Sequence, residues 1–311
     1  MKIAIAVTLS FVMLLFFSGC YADSAAYRVS EIASGIYYHQ GAHEEASEKN
    51  IGAIANVGFI IGDRCVAVID SGGSFREGSY LRQAIKQHSD LPICYVINTH
   101  VHPDHMFGNA AFKQDHPEYI GHEKLPSALT ARQVYFAQTF KEILGEAYTG
   151  TEFISPTTMV NIDQSITIDL GNRPLTLTAY TTAHTDHDLT VLDHNTKTLW
   201  TGDLLFIERI PVLDGSINGW IQTMQQLKAM ELNHVIPGHG PASSDQWQQG
   251  LSNQLRYFTV LRDKIRTVIA DFGTIEEASN RVGNEEQPYW ELFEYYHRRN
   301  VTASFVELEW E

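Results

Sequence analysis

Apolar and polar positions fall into short blocks that predict the order β-rich, α, β-rich, α. Residues 32–38 and 54–61 read as strands, joined by a polar, aperiodic stretch at 41–50 that reads as a hairpin loop or flap. Two short apolar strands follow at 66–69 and 95–98. Between them Tyr80, Leu81, Ala84 and Ile85 recur at helical spacing within 75–88. Strand, helix and strand make a βαβ unit, so part of the sheet is predicted to be parallel. A helix over 125–146 precedes a second strand series at 159–162, 165–170, 175–180, 189–192 and 198–201. A helix at 220–232 and a short strand at 235–236 complete a pattern that suits two sheets with helices on their outer faces.

Beyond Pro241 the period changes. Trp247, Leu251, Leu255, Phe258, Leu261, Ile265, Val268 and Phe272 recur at three- and four-residue steps, one face of a long helix. Ser243 with Gln246, and Thr274 with Glu277, suit capping boxes, and the tail from Glu285 is predicted helical. The chain therefore divides into a domain over 27–241 and a helical C-terminal extension over 242–311.

The N-terminus reads differently. Lys2 precedes an apolar run of 15 residues, 3–17, short of the roughly 20 that span a bilayer and suited to a signal peptide over 1–22. Ser18-Gly19-Cys20 resembles a lipobox that would leave a lipid anchor on Cys20; cleavage after Ala22 would release a soluble protein. Either route predicts a periplasmic protein, with a membrane link only through that anchor. Cys65 and Cys94 each open an apolar strand. They read as small buried hydrophobes, and an oxidising compartment would also permit a disulfide between them.

The 311 residues hold 22 Lys and Arg against 37 Asp and Glu, a formal charge of −15. That balance excludes nucleic acid as a partner, since phosphate backbones require clustered cations, and points to a small-molecule substrate. The chemistry concentrates in Thr99-His100-Val101-His102-Pro103-Asp104-His105, directly after an apolar strand. In an extended loop His100 and His102 point the same way and can grip one metal; Asp104 and His105 can address a second. Two metals need about six ligand contacts, more than this segment supplies. His184, Asp203 and His239 stand where later strands give way to loops and can complete the set.

His100-x-His102-x-Asp104-His105, followed in order by His184, Asp203 and His239, resembles the metallo-β-lactamase fold superfamily across 27–241. The resemblance implies an α+β, four-layer αβ/βα sandwich with two zinc ions (Zn2+) in a cleft between the sheets. It implies that His100, His102 and His184 bind the first zinc, that Asp104, His105 and His239 bind the second, and that Asp203 bridges them. Asp70, at the end of an early strand, would orient ligand histidines from behind or cap its turn. The two ions would share a hydroxide that attacks a carbonyl, with Asp104 as the catalytic residue that holds this nucleophile and moves its proton. The best-known class B β-lactamases carry cysteine at the place of Asp203 and a drug-binding lysine at the place of Phe206; Arg209 is the next cation here. The stretch 209–220 is similar to exported zinc metallohydrolases associated with quinoprotein dehydrogenase systems. The expectation is an exported dizinc hydrolase of a small ester, thioester or lactam-type carbonyl. The alternatives are a β-lactamase proper and a non-catalytic metal-dependent accessory factor of a periplasmic quinoprotein system. Arg209, Trp220 and His43 are the candidate substrate contacts.

Overall fold

The computed structural model describes residues 27–311; the expected signal peptide and Cys20 lie outside the described residues. The first sheet has seven strands in sequence order: β1 (Ser30–Ala33), β2 (Ile36–His39), β3 (Val57–Ile61), β4 (Val66–Ile69), β5 (Ile93–Ile97), β6 (Glu118–His122) and β7 (Thr158–Val160). The strand expected at 32–38 is instead the hairpin of β1 and β2. Gly35, with φ of +71°, turns the chain where a side chain would be strained. β4 to β7 run parallel. Helix α1 (Phe75–His88) is the crossover from β4 to β5. Its start is set by Ser74, whose hydroxyl accepts the Glu77 amide at 3.1 Å, and Leu81 and Ile85 bury against Val66, Val68 and Val96. The single turn α2 (Pro103–Met106) follows β5, and α3 (Leu125–Leu144) follows β6.

The second sheet comprises β8 (Ile166–Asp169), β9 (Pro174–Ala179), β10 (Leu189–Asp193), β11 (Thr198–Phe206) and β12 (His234–His239), in the order β12-β11-β10-β9-β8. β8 to β11 are antiparallel; α4 (Ile217–Lys228) carries the chain to β12, parallel to β11. Ile36, Ile60, Ile69 and Ile97 of the first sheet meet Leu177, Val191, Trp200 and Ile236 of the second in one apolar layer. The outer face of the second sheet is covered by α4 and α5 (Trp247–Ala270). Beyond them α6 (Ile275–Arg281) opens on the Thr274–Glu277 capping box and leads to α7 (Phe293–Leu308). Helix, sheet, sheet and helix give four layers. Phe258, Leu261 and Phe305 of the extension share a single core with Leu204 and Trp220, so the extension is packed onto the sandwich throughout.

Cys65 and Cys94 are free thiols. Burial, then contact with Cys94, pushes the Cys65 thiol up to about 12.

Candidate metal centre

The ends of β4, β5, β11 and β12 and the loop after β9 meet at one edge of the sandwich, and all seven expected ligand residues converge there. His100 and His102 lie on the turn after β5. Pro103 then starts α2, so Asp104 and His105 sit on a helical first turn rather than in an extended loop. Asp203, expected after a strand, lies inside β11, which runs five residues past its expected end. All nine β11 residues are buried, which removes the alternation that marks a strand's limits. Gly202 bends β11 with φ of +49°, and Gly238 of β12 lies so close that a Cβ there would meet the Asp203 carboxylate.

The outward nitrogens of the five imidazoles are all engaged. Nδ1 of His184 faces the carbonyl of Val212 at 2.7 Å, and Nδ1 of His239 faces that of Ile54 at 2.7 Å. A carbonyl only accepts, so both nitrogens donate. Thr99 donates its hydroxyl to Asp70 at 2.8 Å and accepts from Nδ1 of His100 at 3.0 Å. Nδ1 of His105 donates to Asp70 at 2.8 Å. His102 is turned the other way: its Nε2 donates to Asp214 at 3.0 Å, and its Nδ1 faces inward, 3.1 Å from Nε2 of His184.

The inward nitrogens surround Asp203. One oxygen, Oδ2, lies 3.6 Å from His100 and 3.4 Å from His184. The other, Oδ1, lies 3.0 Å from His105 and 3.4 Å from His239. Asp104 is 3.4 Å from His239 and 3.8 Å from His105. Nε2 of His100, Nε2 of His105 and Oδ1 of Asp203 are buried without hydrogen-bond partners. Buried polar atoms left unpaired cost about 1–3 kcal/mol each. The residues form two groups that could each hold a metal ion, His100, His102, His184 and Asp203 on one side and Asp104, His105 and His239 on the other, with each group's donor atoms within 4.8 Å of one another; a cation there would satisfy the unpaired atoms. Imidazole and carboxylate are donors that zinc accepts.

Charge state follows the same division. Burial holds the His184 imidazole down at about 3 and pulls His100 well below its ordinary value. Burial alone would raise Asp203 and Asp104, yet neighbouring His105 and His239 hold both carboxyls below the usual carboxylate range. Asp70, bent at φ of +53°, also accepts the Thr99 amide at 2.8 Å, so one carboxylate holds three donors.

The cluster floors a cavity of about 470 Å³. Tyr135, Phe136, Phe140, Phe206 and Tyr296 supply aromatic wall, and Arg132, Arg209 and Arg299 supply positive charge. Arg209 is 3% exposed, its Nε has no partner, and among the described residues no carboxylate pairs with it. Its Nη1 lies 2.9 Å from Nδ1 of His239, already a donor to Ile54, leaving the Tyr296 hydroxyl at 3.4 Å as its acceptor. A buried, unpaired guanidinium on a cavity wall favours an anionic ligand.

Two expected substrate contacts are corrected. Trp220 is fully buried; it donates its indole N–H to the carbonyl of Leu204 at 2.9 Å and packs behind His184 at 5.1 Å. Its apolar ring belongs to the inner face of α4. His43 does not line the cavity, because its Nδ1 is held by Glu291 at 2.9 Å; the loop presents Glu45 and Ala46 instead. Asp214, Tyr296, Arg132 and Arg299 had not been anticipated. Asp214 falls within the stretch 209–220 that already stood out. The other three lie on helices, where single polar residues read as a solvated face.

Burial pushes Glu77 and Asp188 up to about 8 each. Both keep a proton in the folded chain at pH values where the unfolded chain has lost it. His105, held well above its ordinary 6.5 in the metal-free protein, acts in the same sense. Buried neutral imidazoles such as His100 and His184 oppose this only below that value. Metal-free protein should therefore lose stability as pH rises from about 6.5 towards 8, by on the order of 1 kcal/mol per carboxyl. Urea midpoints across this interval should fall for the wild type and fall less for Glu77→Gln; a rising wild-type midpoint contradicts the assignment.

Residues 51–239 match the family model described as the Metallo-beta-lactamase superfamily. Among solved structures, a metallo-beta-lactamase from Pontibacter korlensis is 19% identical with a TM-score of 0.59, over 75% of this chain and 98% of that one. TMB-1, whose structure was studied for substrate and inhibitor binding, is 18% identical with a TM-score of 0.54, over 74% of this chain and 96% of its own. Identities this low show a shared fold alone. No curated protein matches the chain.

Proposed function

The chain belongs to the metallo-beta-lactamase superfamily, and from that premise we propose that it is a dinuclear zinc hydrolase acting on a small, anionic ester, thioester or lactam-type carbonyl compound. The observation that supports this is the convergence of five inward imidazole nitrogens on the two carboxylates of Asp104 and Asp203 at the floor of one cavity. His100, His102 and His184 would hold one ion and Asp104, His105 and His239 the other, with Asp203 between them. A bound zinc ion acidifies water to near neutrality and withdraws electron density from a carbonyl oxygen. The chain's own residues do the rest. Asp104 is the more open of the two cluster carboxylates, 17% exposed against 4% for Asp203, and it is ionised at neutral pH. In this reading its carboxylate takes a proton from attacking water and returns it to the leaving group. Arg209 anchors an anionic group, and the aromatic wall excludes water beside it. Phe206 stacks on His239 at 4.8 Å and supplies no cation, so Arg209 stands in for the lysine of the well-known lactamases. The apolar run over residues 3–17 supports an exported location for this activity.

The test is a substrate panel on protein stripped by chelator and reloaded with zinc. Anionic esters, thioesters or lactams should be hydrolysed, neutral analogues more slowly, and chelation should abolish the rate. Turnover confined to penicillins and carbapenems selects the β-lactamase reading. Tight zinc uptake with no turnover on any panel overturns the hydrolase.

A further inference from the structure

Asp214 meets four elements of the molecule at once. It follows β11 on the 207–216 connection, and its backbone amide donates to the carbonyl of His184 at 3.1 Å. Its Oδ2 accepts from Nε2 of His102 at 3.0 Å and from Arg132 of α3 at 3.4 Å. Its Oδ1 accepts from Arg299 of α7 at 3.2 Å. Two cavity-lining arginines from different helices thus grip a carboxylate whose remaining partner is a candidate metal ligand.

His102 is the one imidazole of the five that presents Nδ1 inward. That nitrogen lies 3.1 Å from Nε2 of His184, which is bare because His184 donates from Nδ1 to Val212. A proton on Nδ1 of His102 would form a hydrogen bond to His184 and occupy both lone pairs. A proton on Nε2 leaves both free. The two arrangements have the same heavy-atom geometry, so what faces Nε2 decides between them. Among the described residues, only the Asp214 carboxylate is bonded to it.

We infer that Asp214 is a positioning residue that keeps the His102 proton on Nε2 and so opens the first metal position, with Arg132 and Arg299 fixing its carboxylate. The C-terminal extension thereby takes part in metal binding through α7 without supplying a ligand. The inference rests on the metal-site reading above but not on hydrolysis.

The experiment reads the proton directly. In metal-free protein labelled with ¹⁵N-histidine, at pH 8.5, wild type and Asp214→Asn should show His102 protonated on Nε2, since asparagine keeps an acceptor oxygen. Asp214→Ala should move the proton to Nδ1. Chelator competition should then show one zinc equivalent weakened about 10–100-fold in Asp214→Ala, and Arg299→Ala should shift affinity in the same direction by less. If Asp214→Ala keeps the proton on Nε2 and binds both equivalents as wild type does, the inference fails, even where its melting temperature falls. Wild-type protein that takes up no zinc overturns the metal reading itself.

Discussion

Replacing Asp203 by asparagine should cost turnover on the order of 10³-fold, about 4 kcal/mol of transition-state stabilisation, and should remove one metal equivalent. The two oxygens of Asp203 divide the cluster: Oδ2 faces His100 and His184, and Oδ1 faces His105 and His239. Asparagine keeps the shape but removes the negative charge. Its amide turns N–H groups towards nitrogens that must accept a cation, and one half of the cluster is left with imidazole donors and no anion. The fold should survive, because the substitution is isosteric and Gly238 leaves room for it. The measurement is zinc content after dialysis together with kcat on the best panel substrate. A variant with two zinc ions and a rate within tenfold of wild type would show that Asp203 does not join the halves.

The same residue shows where sequence reading stops. The His100–His105 segment was legible because three imidazoles and a carboxylate within six positions are rare outside a metal site. The βαβ unit and the long α5 were legible because burial on one face imposes a period. The far end of β11 was not, since both faces of the strand are covered and its polar Asp203 sits mid-strand among buried neighbours. The hairpin at Gly35 was hidden because β1 and β2 read as one apolar run. Trp220 and His43 were assigned to substrate from their position in the chain, yet each is held by a partner remote in sequence: Leu204 behind the site for Trp220, and Glu291 of the C-terminal extension for His43. Arg132 and Arg299 were invisible for the same reason. Their meaning depends on a carboxylate 82 and 85 residues away, and no local pattern marks a pairing made by the packing of α3 and α7.

Asp70 separates stability from ligation, and two substitutions there should fail in different ways. Its carboxylate holds the Thr99 amide, the Thr99 hydroxyl and Nδ1 of His105, each at 2.8 Å, and all three residues are buried. Asp70→Ala orphans these donors at about 1–3 kcal/mol each. It also places alanine at φ of +53°, which aspartate and asparagine tolerate better. A loss of roughly 3–6 kcal/mol is expected, seen as a melting temperature lower by about 10 °C or more. Asp70→Asn tolerates the same backbone angle and keeps an oxygen for Thr99, so its melting temperature should fall much less. Its amide N–H, however, points at Nδ1 of His105. The imidazole relieves that clash by moving its proton to Nε2, the nitrogen that faces Asp203 and Asp104. Proton and metal then compete for one lone pair, and the zinc shared by Asp104, His105 and His239 should bind about 10–100-fold more weakly. Calorimetry on the metal-free variants and chelator competition on the reloaded ones separate the two effects. If Asp70→Asn binds both ions as tightly as wild type, Asp70 caps its turn and does not orient His105.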